Sequence, residues 1–256
     1  MDRKYWPALT GMIAAIAITT AMDATGYTMF SALPLFPLAL LFWYLQGFSR
    51  VAIGLSWGRS RDFGWAIAYP CVVLGALGAI AWLAGAIDTS ETAWNTTLLN
   101  IAASSTIGIV MVLITEEGFF RGWLWASLER AGCSRWQVVG YTTLAFTVWH
   151  VSPISLDTGY DLPAAEIPVY LVNATLLGLI WGMLRMVSGS VVVPSVCHAV
   201  WNAIDYPLFG FGEHAGALGI EQTHVYGPEV GALGIVANGA FAILLWRRYA
   251  HRSATQ

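Results

Sequence analysis

Apolar stretches alternate with short polar segments along the whole chain. A helix needs about 20 mostly apolar residues to cross a membrane, and eight stretches approach that length. The pattern predicts helices at residues 6–22, 30–48, 65–87, 97–128, 136–150, 167–186, 191–209 and 230–246. The fourth stretch is too long for one simple span, and the fifth is short. Arg3 and Lys4 before an apolar run would also suit a signal peptide. No small-residue cleavage site follows, so the first stretch is interpreted as an uncleaved helix.

Composition indicates that these stretches meet lipid rather than a large soluble core. Hydrophobic residues make up 57% of the chain and charged residues 11%, whereas soluble domains carry about 25% charged residues. So few charges cannot cover a globule of this size with polar surface. We therefore predict an all-α, polytopic membrane bundle of about eight helices that forms a single domain over residues 1–256. Membrane lipid is the expected partner. Nucleic acid is not, because the net charge is −3 and no basic stripe is present.

The charged residues divide between alternate connections of the predicted helices. With eight spans, the 12 Lys and Arg residues all fall on one side of the membrane, apart from Arg121 inside the fourth stretch. The opposite loops contain no Lys or Arg, and their carboxylates include Asp88, Glu91, Asp157, Asp161, Glu213 and Glu221. Basic loops of membrane proteins stay in the cytoplasm. The distribution predicts a multi-pass protein of the cell membrane with both termini in the cytoplasm.

A cluster of charged residues interrupts the fourth stretch. A charge near the bilayer centre costs a few kcal/mol or more, so it needs a partner and usually has a function. Glu117 and Arg121 are four residues apart and can pair along one helix face. Glu116 points about 100° away from Glu117 and faces a different neighbour. Taken alone, the cluster also suits an ordinary ion pair at a helix end.

Two further polar groups are predicted to lie at a depth similar to that of Glu116. Glu116 and His150 are each 14 residues from the helix ends that flank the turn at residues 131–134, which is a depth of about 21 Å. His198 and Asn202 lie about 12 and 18 Å from the start of the seventh stretch by the same rise. Alone, each has a structural interpretation, either a satisfied histidine or a polar link between helices. Together they predict one polar site inside the membrane. Histidines outside these helices, such as His214, are interpreted as solvated loop residues.

The residue types in this predicted site suit amide hydrolysis. A buried glutamate beside a histidine can hold and deprotonate water, and a second histidine with an asparagine can donate hydrogen bonds to an oxyanion. No serine lies in a G-x-S-x-G setting. Zinc is the alternative, because Glu116, His150 and His198 match a catalytic set of three protein ligands, although no H-E-x-x-H motif is present. The residues alone do not separate the two mechanisms.

Three motifs in order carry a resemblance to a known family. Glu-Glu-x-x-x-Arg, Phe-x-x-x-His and His-x-x-x-Asn resemble the motifs of the CAAX prenyl protease 2 and bacteriocin-processing family, also called CPBP or Abi. The matching residues are Glu116, Glu117, Arg121, Gly122, Phe146, His150, His198 and Asn202. They define a motif core at about residues 97–205, while the other helices carry no motif. The resemblance implies an eight-helix core with a cavity open to membrane and cytosol.

The resemblance also implies the roles of the site residues. Glu116 would act as the base, His150 would position water, and His198 with Asn202 would stabilise the oxyanion. Glu117 and Arg121 would shape the site. The family is often labelled as metalloproteases, yet its site resembles a metal-free glutamate site, so no cofactor is favoured and zinc stays the alternative.

The resemblance defines the expected reaction more closely than the substrate. It implies an intramembrane endopeptidase that cuts near the C-terminus or the membrane-adjacent part of a protein or peptide, which is lipidated or bacteriocin-like. The short, loop-poor chain is typical of prokaryotic members, many of which lack prenylated substrates. A proton-coupled transporter is a competing hypothesis, since intramembrane Glu and His also form proton relays, but no internal repeat is found. A catalytically silent membrane scaffold is the third.

Overall fold

The structure, a computed structural model, describes residues 3–253 and the side chains of residues 3–249. Helices form at all eight predicted stretches. They are α1 (Trp6–Asp23), α2 (Leu35–Gln46), α3 (Ser60–Leu83), α4 (Trp94–Ile114), α5 (Trp125–Arg130), α6 (Arg135–Trp149), α7 (Val151–Ser155), α8 (Glu166–Ser188), α9 (Val192–Phe209), α10 (Thr223–Tyr226) and α11 (Ala232–Ser253). Short 3-10 turns precede α1 (Arg3–Tyr5) and α2 (Thr28–Phe30), and a π-helical segment (Gly118–Leu124) leads into α5. The strands β1 (Gly210–Phe211) and β2 (His214–Ala215) form an antiparallel hairpin.

Five helical segments are long and apolar enough to cross a membrane within the described part of the chain. They are Arg3–Asp23, Thr28–Gln46, Ser60–Leu83, Trp94–Arg130 and Glu166–Ser188. This confirms the predicted all-α, polytopic membrane bundle. The other passes, α6, α9 and α11, lie among the five segments, and α6 has only 15 residues. The described part of the chain thus runs through the bundle eight times, and five of these passes have the length and mean hydropathy of a membrane span.

Two predicted boundaries shift for local reasons. α3 begins at Ser60 rather than residue 65, because the Asp62 carboxylate accepts the backbone N–H of Arg59 at 3.2 Å and caps the first turn. It ends at Leu83 rather than residue 87, because the chain turns at Gly85, whose φ of +70° favours glycine. The long fourth stretch is also not one regular helix, since α4 ends at Ile114.

The connections that carry basic residues pack together at one end of the bundle. This basic end consists of the connections α2–α3, α5–α6 and α8–α9. The backbone N–H of Val191 donates to the carbonyl of Gly54 at 2.9 Å, which joins two of these connections. The Arg185 side chain, in the last turn of α8, donates to the backbone carbonyl of Ala52 at 3.4 Å. Basic residues far apart in sequence thus share one end of the molecule.

The opposite, acidic end is formed by the connections α1–α2, α3–α4, α7–α8 and α9–α11. The backbone N–H of Asp88 donates to the carbonyl of Leu218 at 3.0 Å, and that of Glu213 donates to the carbonyl of Tyr160 at 3.4 Å. These bonds join three connections that carry carboxylates. The charge division predicted from the sequence therefore corresponds to two opposite ends of the bundle.

Helix α8 lies in the interior, and α4 lies at the periphery. In the most apolar 18-residue stretch of α8, 56% of the residues are buried. In the corresponding stretch of the segment that contains α4, only 6% are buried. Helix α9 packs against both α3 and α4. The core of the bundle is rich in large aromatic side chains, including Trp123, Trp181 and Trp201, which are essentially inaccessible.

Candidate active site

The Glu116–Glu117 pair lies at a break in the helix that contains it. α4 ends at Ile114, and Thr115 adopts φ −97° and ψ −97°, outside helical geometry. The π-helical segment then begins at Gly118, where an added Cβ would lie 2.5 Å from the carbonyl oxygen of Leu113. Only glycine fits so close to that backbone. π-turns inside helices are rare and are frequent at functional sites.

The two adjacent carboxylates have different surroundings. The Glu117 side chain is fully buried, whereas the Glu116 side chain retains 15% of its exposure and lines a cavity. The Nη1 atom of Arg121 lies 3.1 Å from Glu117 Oε1, and both side chains are inaccessible. The predicted ion pair is therefore present. Glu116 is left to face the cavity.

A glycine on α8 makes room for the Arg121 guanidinium. Arg121 Nη2 donates to the carbonyl of Gly178 at 3.1 Å, and the guanidinium lies 4.5 Å from the ring centroid of Phe146. A Cβ at Gly178 would lie 3.1 Å from Thr143 on α6 and 3.4 Å from Arg121 Nη2. The absence of a side chain at Gly178 thus lets α8 pack closely on α6 and leaves space for the buried Arg121 guanidinium.

His150 caps the end of α6, where its ring is held in one orientation. Its Nδ1 atom lies 2.8 Å from the carbonyl oxygen of Phe146. A carbonyl only accepts, so Nδ1 carries a hydrogen, and in the neutral ring Nε2 is left as an acceptor. The rings of Phe146 and Trp149 pack against the imidazole at centroid distances of 4.3 and 4.7 Å. His150 therefore offers a lone pair rather than a second donor to its surroundings.

His198 connects the two carboxylates. Its Nδ1 atom lies 3.1 Å from Glu117 Oε1, and its Nε2 atom lies 3.9 Å from Glu116 Oε2. The ring stacks on Trp181 with centroids 3.7 Å apart and planes inclined by 15°. Asn202 lies one turn further along α9 and faces the same cavity as Glu116. The contact with Glu117 and the stacking on Trp181 together hold the His198 ring toward Glu116.

One cavity of about 480 Å³ brings the predicted residues together. Glu116, His150, His198 and Asn202 all line it, although they come from three separate helical segments. Glu117 and Arg121 are buried behind these four residues and do not line the cavity. A second, lateral groove of about 420 Å³ runs between α4 and α9 and shares only Asn202 and one other residue, Tyr206, with the cavity.

Several residues near the site were not predicted from the sequence. Glu229, in the connection before α11, is 5% exposed and accepts the indole N–H of Trp201 at 2.7 Å. It lines a small cavity of about 20 Å³ with His150, His198 and Asn202, which is enough for one water molecule. Its only sequence signal is a carboxylate directly before an apolar stretch.

His214 was interpreted as a solvated loop residue. Its side chain is exposed, as expected, but it also lines the mouth of the large cavity. The hairpin register, which pairs His214 with Phe211, places both residues at that mouth. No periodic pattern in the sequence indicates such a hairpin, because each strand has only two residues.

The geometry does not provide a metal site among the residues that the structure describes. No group of three His, Cys, Asp or Glu side chains is placed to share an ion. His198 directs Nδ1 to Glu117 at 3.1 Å, and its Nε2 atom faces Glu116 at 3.9 Å.

Comparison with known proteins supports the motif resemblance. The family model described as "Type II CAAX prenyl endopeptidase Rce1-like" matches residues 96–204. This stretch coincides with the motif core and confirms the predicted resemblance over that part of the chain. The matched segment is thus similar to this endopeptidase family. No curated protein and no solved structure is significantly similar to the chain.

Proposed function

We propose that this chain, whose residues 96–204 match an endopeptidase family, hydrolyses a peptide bond in the membrane-adjacent or C-terminal part of a protein or peptide. The observation that carries the proposal is the cavity lined by Glu116, His150, His198 and Asn202. Within it, Glu116 Oε2 lies 3.9 Å from His198 Nε2, close enough for both groups to act on one reacting centre. A water-activating base and oxyanion donors thus face the same space.

Glu116 is the proposed general base. It takes a proton from a water molecule whose oxygen attacks the carbonyl carbon of the scissile bond. His150 accepts a hydrogen bond from the same water through Nε2, because its Nδ1–H is engaged by the Phe146 carbonyl. Glu116 then transfers its proton to the amide nitrogen as the C–N bond breaks, so the amine leaves neutral. No serine, cysteine or metal takes part in this sequence of steps.

His198 and Asn202 are the proposed oxyanion donors. Glu117 stabilises a protonated His198 through the Nδ1–H contact at 3.1 Å, which leaves Nε2–H free to donate to the developing oxyanion. The Asn202 side-chain NH₂ is a second donor one turn along the same helix. Glu117 and Arg121 act as positioning residues in this scheme. They hold His198 without touching substrate.

The experiment is a cleavage assay with protein purified in detergent and a fluorogenic peptide library that includes prenylated and unmodified C-terminal tails. Glu116→Gln is expected to lower cleavage by about 10²–10⁴-fold, the contribution typical of a general base. Glu91→Gln in the α3–α4 connection is the matched control and should keep full cleavage. New termini are identified by mass spectrometry. Undiminished cleavage by Glu116→Gln would contradict the proposal, as would proton flux in liposomes without any new termini, which is the transporter's signature.

A further inference from the structure

The candidate active site opens toward the acidic end of the bundle. Met29, Tyr160 and His214 line the cavity, and the side chains of Met29 and His214 are exposed. These three residues belong to three different connections of the acidic end. No residue from a connection of the basic end lines the cavity in the part of the chain that the structure describes. The mouth is therefore formed by acidic-end connections.

The opposite side of the site is closed by the π-helical segment. All residues between 119 and 124 are buried, and they lie between Glu116 and the basic end. The indole N–H of Trp123 donates to Gln46 Oε1 at 2.6 Å, and Gln46 is the last residue of α2 at the basic end. The ring of Trp123 also stacks on Phe42 at 4.7 Å. These contacts tie the buried segment to α2 on the basic-end side of Glu116.

We infer that the site receives its substrate from the non-cytoplasmic face of the membrane. The inference rests on the proposed function and on two observations that are independent of it. The connections that carry Lys and Arg pack at one end, which the positive-inside rule places in the cytoplasm. The cavity mouth lies at the other end. The inference differs in this respect from the motif resemblance, which implies a cavity open to the cytosol.

The dimensions of the site define the class of substrate. A cavity of about 480 Å³ is in the range that holds a small ligand or a few residues, not a folded domain. The groove between α4 and α9 is lined largely by apolar and small residues, such as Ala103, Gly108 and Ala199, and reaches Asn202. The substrate is thus an extended peptide segment on the non-cytoplasmic face whose neighbouring apolar part lies in the membrane beside α4. The cut falls close to that membrane surface.

Cysteine labelling in intact cells tests the side from which the site is reached. The native cysteines are replaced by Cys71→Ser, Cys133→Ser and Cys197→Ala, and one cysteine is then added at each end. Met29→Cys lies at the cavity mouth and Trp57→Cys lies at the basic end, and the native side chains are 85% and 83% exposed. A membrane-impermeant maleimide is expected to label Met29→Cys in intact cells, and Trp57→Cys only after permeabilisation. The reverse pattern would overturn the inference.

The same variants link access to cleavage. With purified protein in detergent, a bulky maleimide on Met29→Cys is expected to lower cleavage at least tenfold relative to the unlabelled variant. The same label on Trp57→Cys should leave cleavage unchanged. A block by the Trp57→Cys label alone would overturn the inference. If Met29→Cys does not fold, His214→Cys supplies the same measurement. Failure of Glu116→Gln to reduce cleavage would instead refute the proposed function, because the labelling pattern does not depend on catalysis.

Discussion

Neutralising Glu117 is expected to destabilise the protein, whereas neutralising the adjacent Glu116 is expected to leave its stability nearly unchanged. Glu117 and Arg121 are both inaccessible and lie 3.1 Å apart. Glu117→Gln leaves the arginine charge buried without its counter-ion. Breaking a buried ion pair by removing one partner costs about 3–5 kcal/mol. Glu117→Gln should therefore lower the free energy of unfolding by about that amount.

Glu116→Gln is the matched control for this measurement. Glu116 faces the cavity, and its nearest basic partner, His198 Nε2, is 3.9 Å away, beyond hydrogen-bonding distance. Because His198 keeps its contact with Glu117 at 3.1 Å, Glu116→Gln leaves no buried charge without a partner. Glu116→Gln should therefore unfold almost like the unmodified protein while losing cleavage. The double variant Glu117→Gln/Arg121→Met removes both charges and should recover part of the stability lost in Glu117→Gln.

The assay is equilibrium unfolding in mixed micelles with increasing sodium dodecyl sulfate, followed by tryptophan fluorescence and helical circular dichroism. Coincidence of the two probes is required before free energies are compared. The reasoning is refuted if Glu117→Gln costs less than about 1 kcal/mol, below the range for a broken buried pair. It is also refuted if Glu116→Gln destabilises the protein as much as Glu117→Gln does.

Three other predictions concern packing, a buried acceptor and metal dependence. Gly178→Ala should lower the free energy of unfolding by about 1–3 kcal/mol, because its Cβ meets Thr143 at 3.1 Å. Gly75→Ala should not lower the free energy of unfolding, because nothing lies within 4 Å of the added Cβ. The same unfolding assay compares the two variants. Glu229→Leu leaves the buried Trp201 N–H without its acceptor and should cost about 1–3 kcal/mol, whereas Glu229→Gln keeps an acceptor and should cost less. Cleavage should be unchanged after treatment with 1,10-phenanthroline; complete loss that added Zn²⁺ restores would contradict the metal-free steps.

The helical passes and the main polar residues could be predicted because both depend on local sequence. Apolar length marked the spans, and the equal offsets of Glu116 and His150 from one tight turn predicted their similar depth. The break at Thr115 could not be predicted, because a π-turn changes the winding of a helix without changing its apolar pattern. Glu229 was missed because it reaches the site from a connection, and apolar periodicity does not describe the path of a connection.

The direction in which the cavity opens also depends on information that the helical pattern lacks. Met29, Tyr160 and His214 come from three connections that meet only in the folded molecule. Their sequence neighbours are ordinary loop residues. Charge distribution predicted which connections share an end, but it did not predict which of the two ends is open.

The π-helical segment makes the reactive face of this helix depend on the number of residues as well as on their identity. Removing Trp123 alone would restore regular winding while keeping every motif side chain and the spacing between Glu117 and Arg121. The part of the helix before the deletion would then rotate by about 100° relative to α5. Glu116 would swing away from His198 toward lipid or packed core. A homologous chain that is shorter by one residue at this point would therefore carry the same letters and lack the same chemistry.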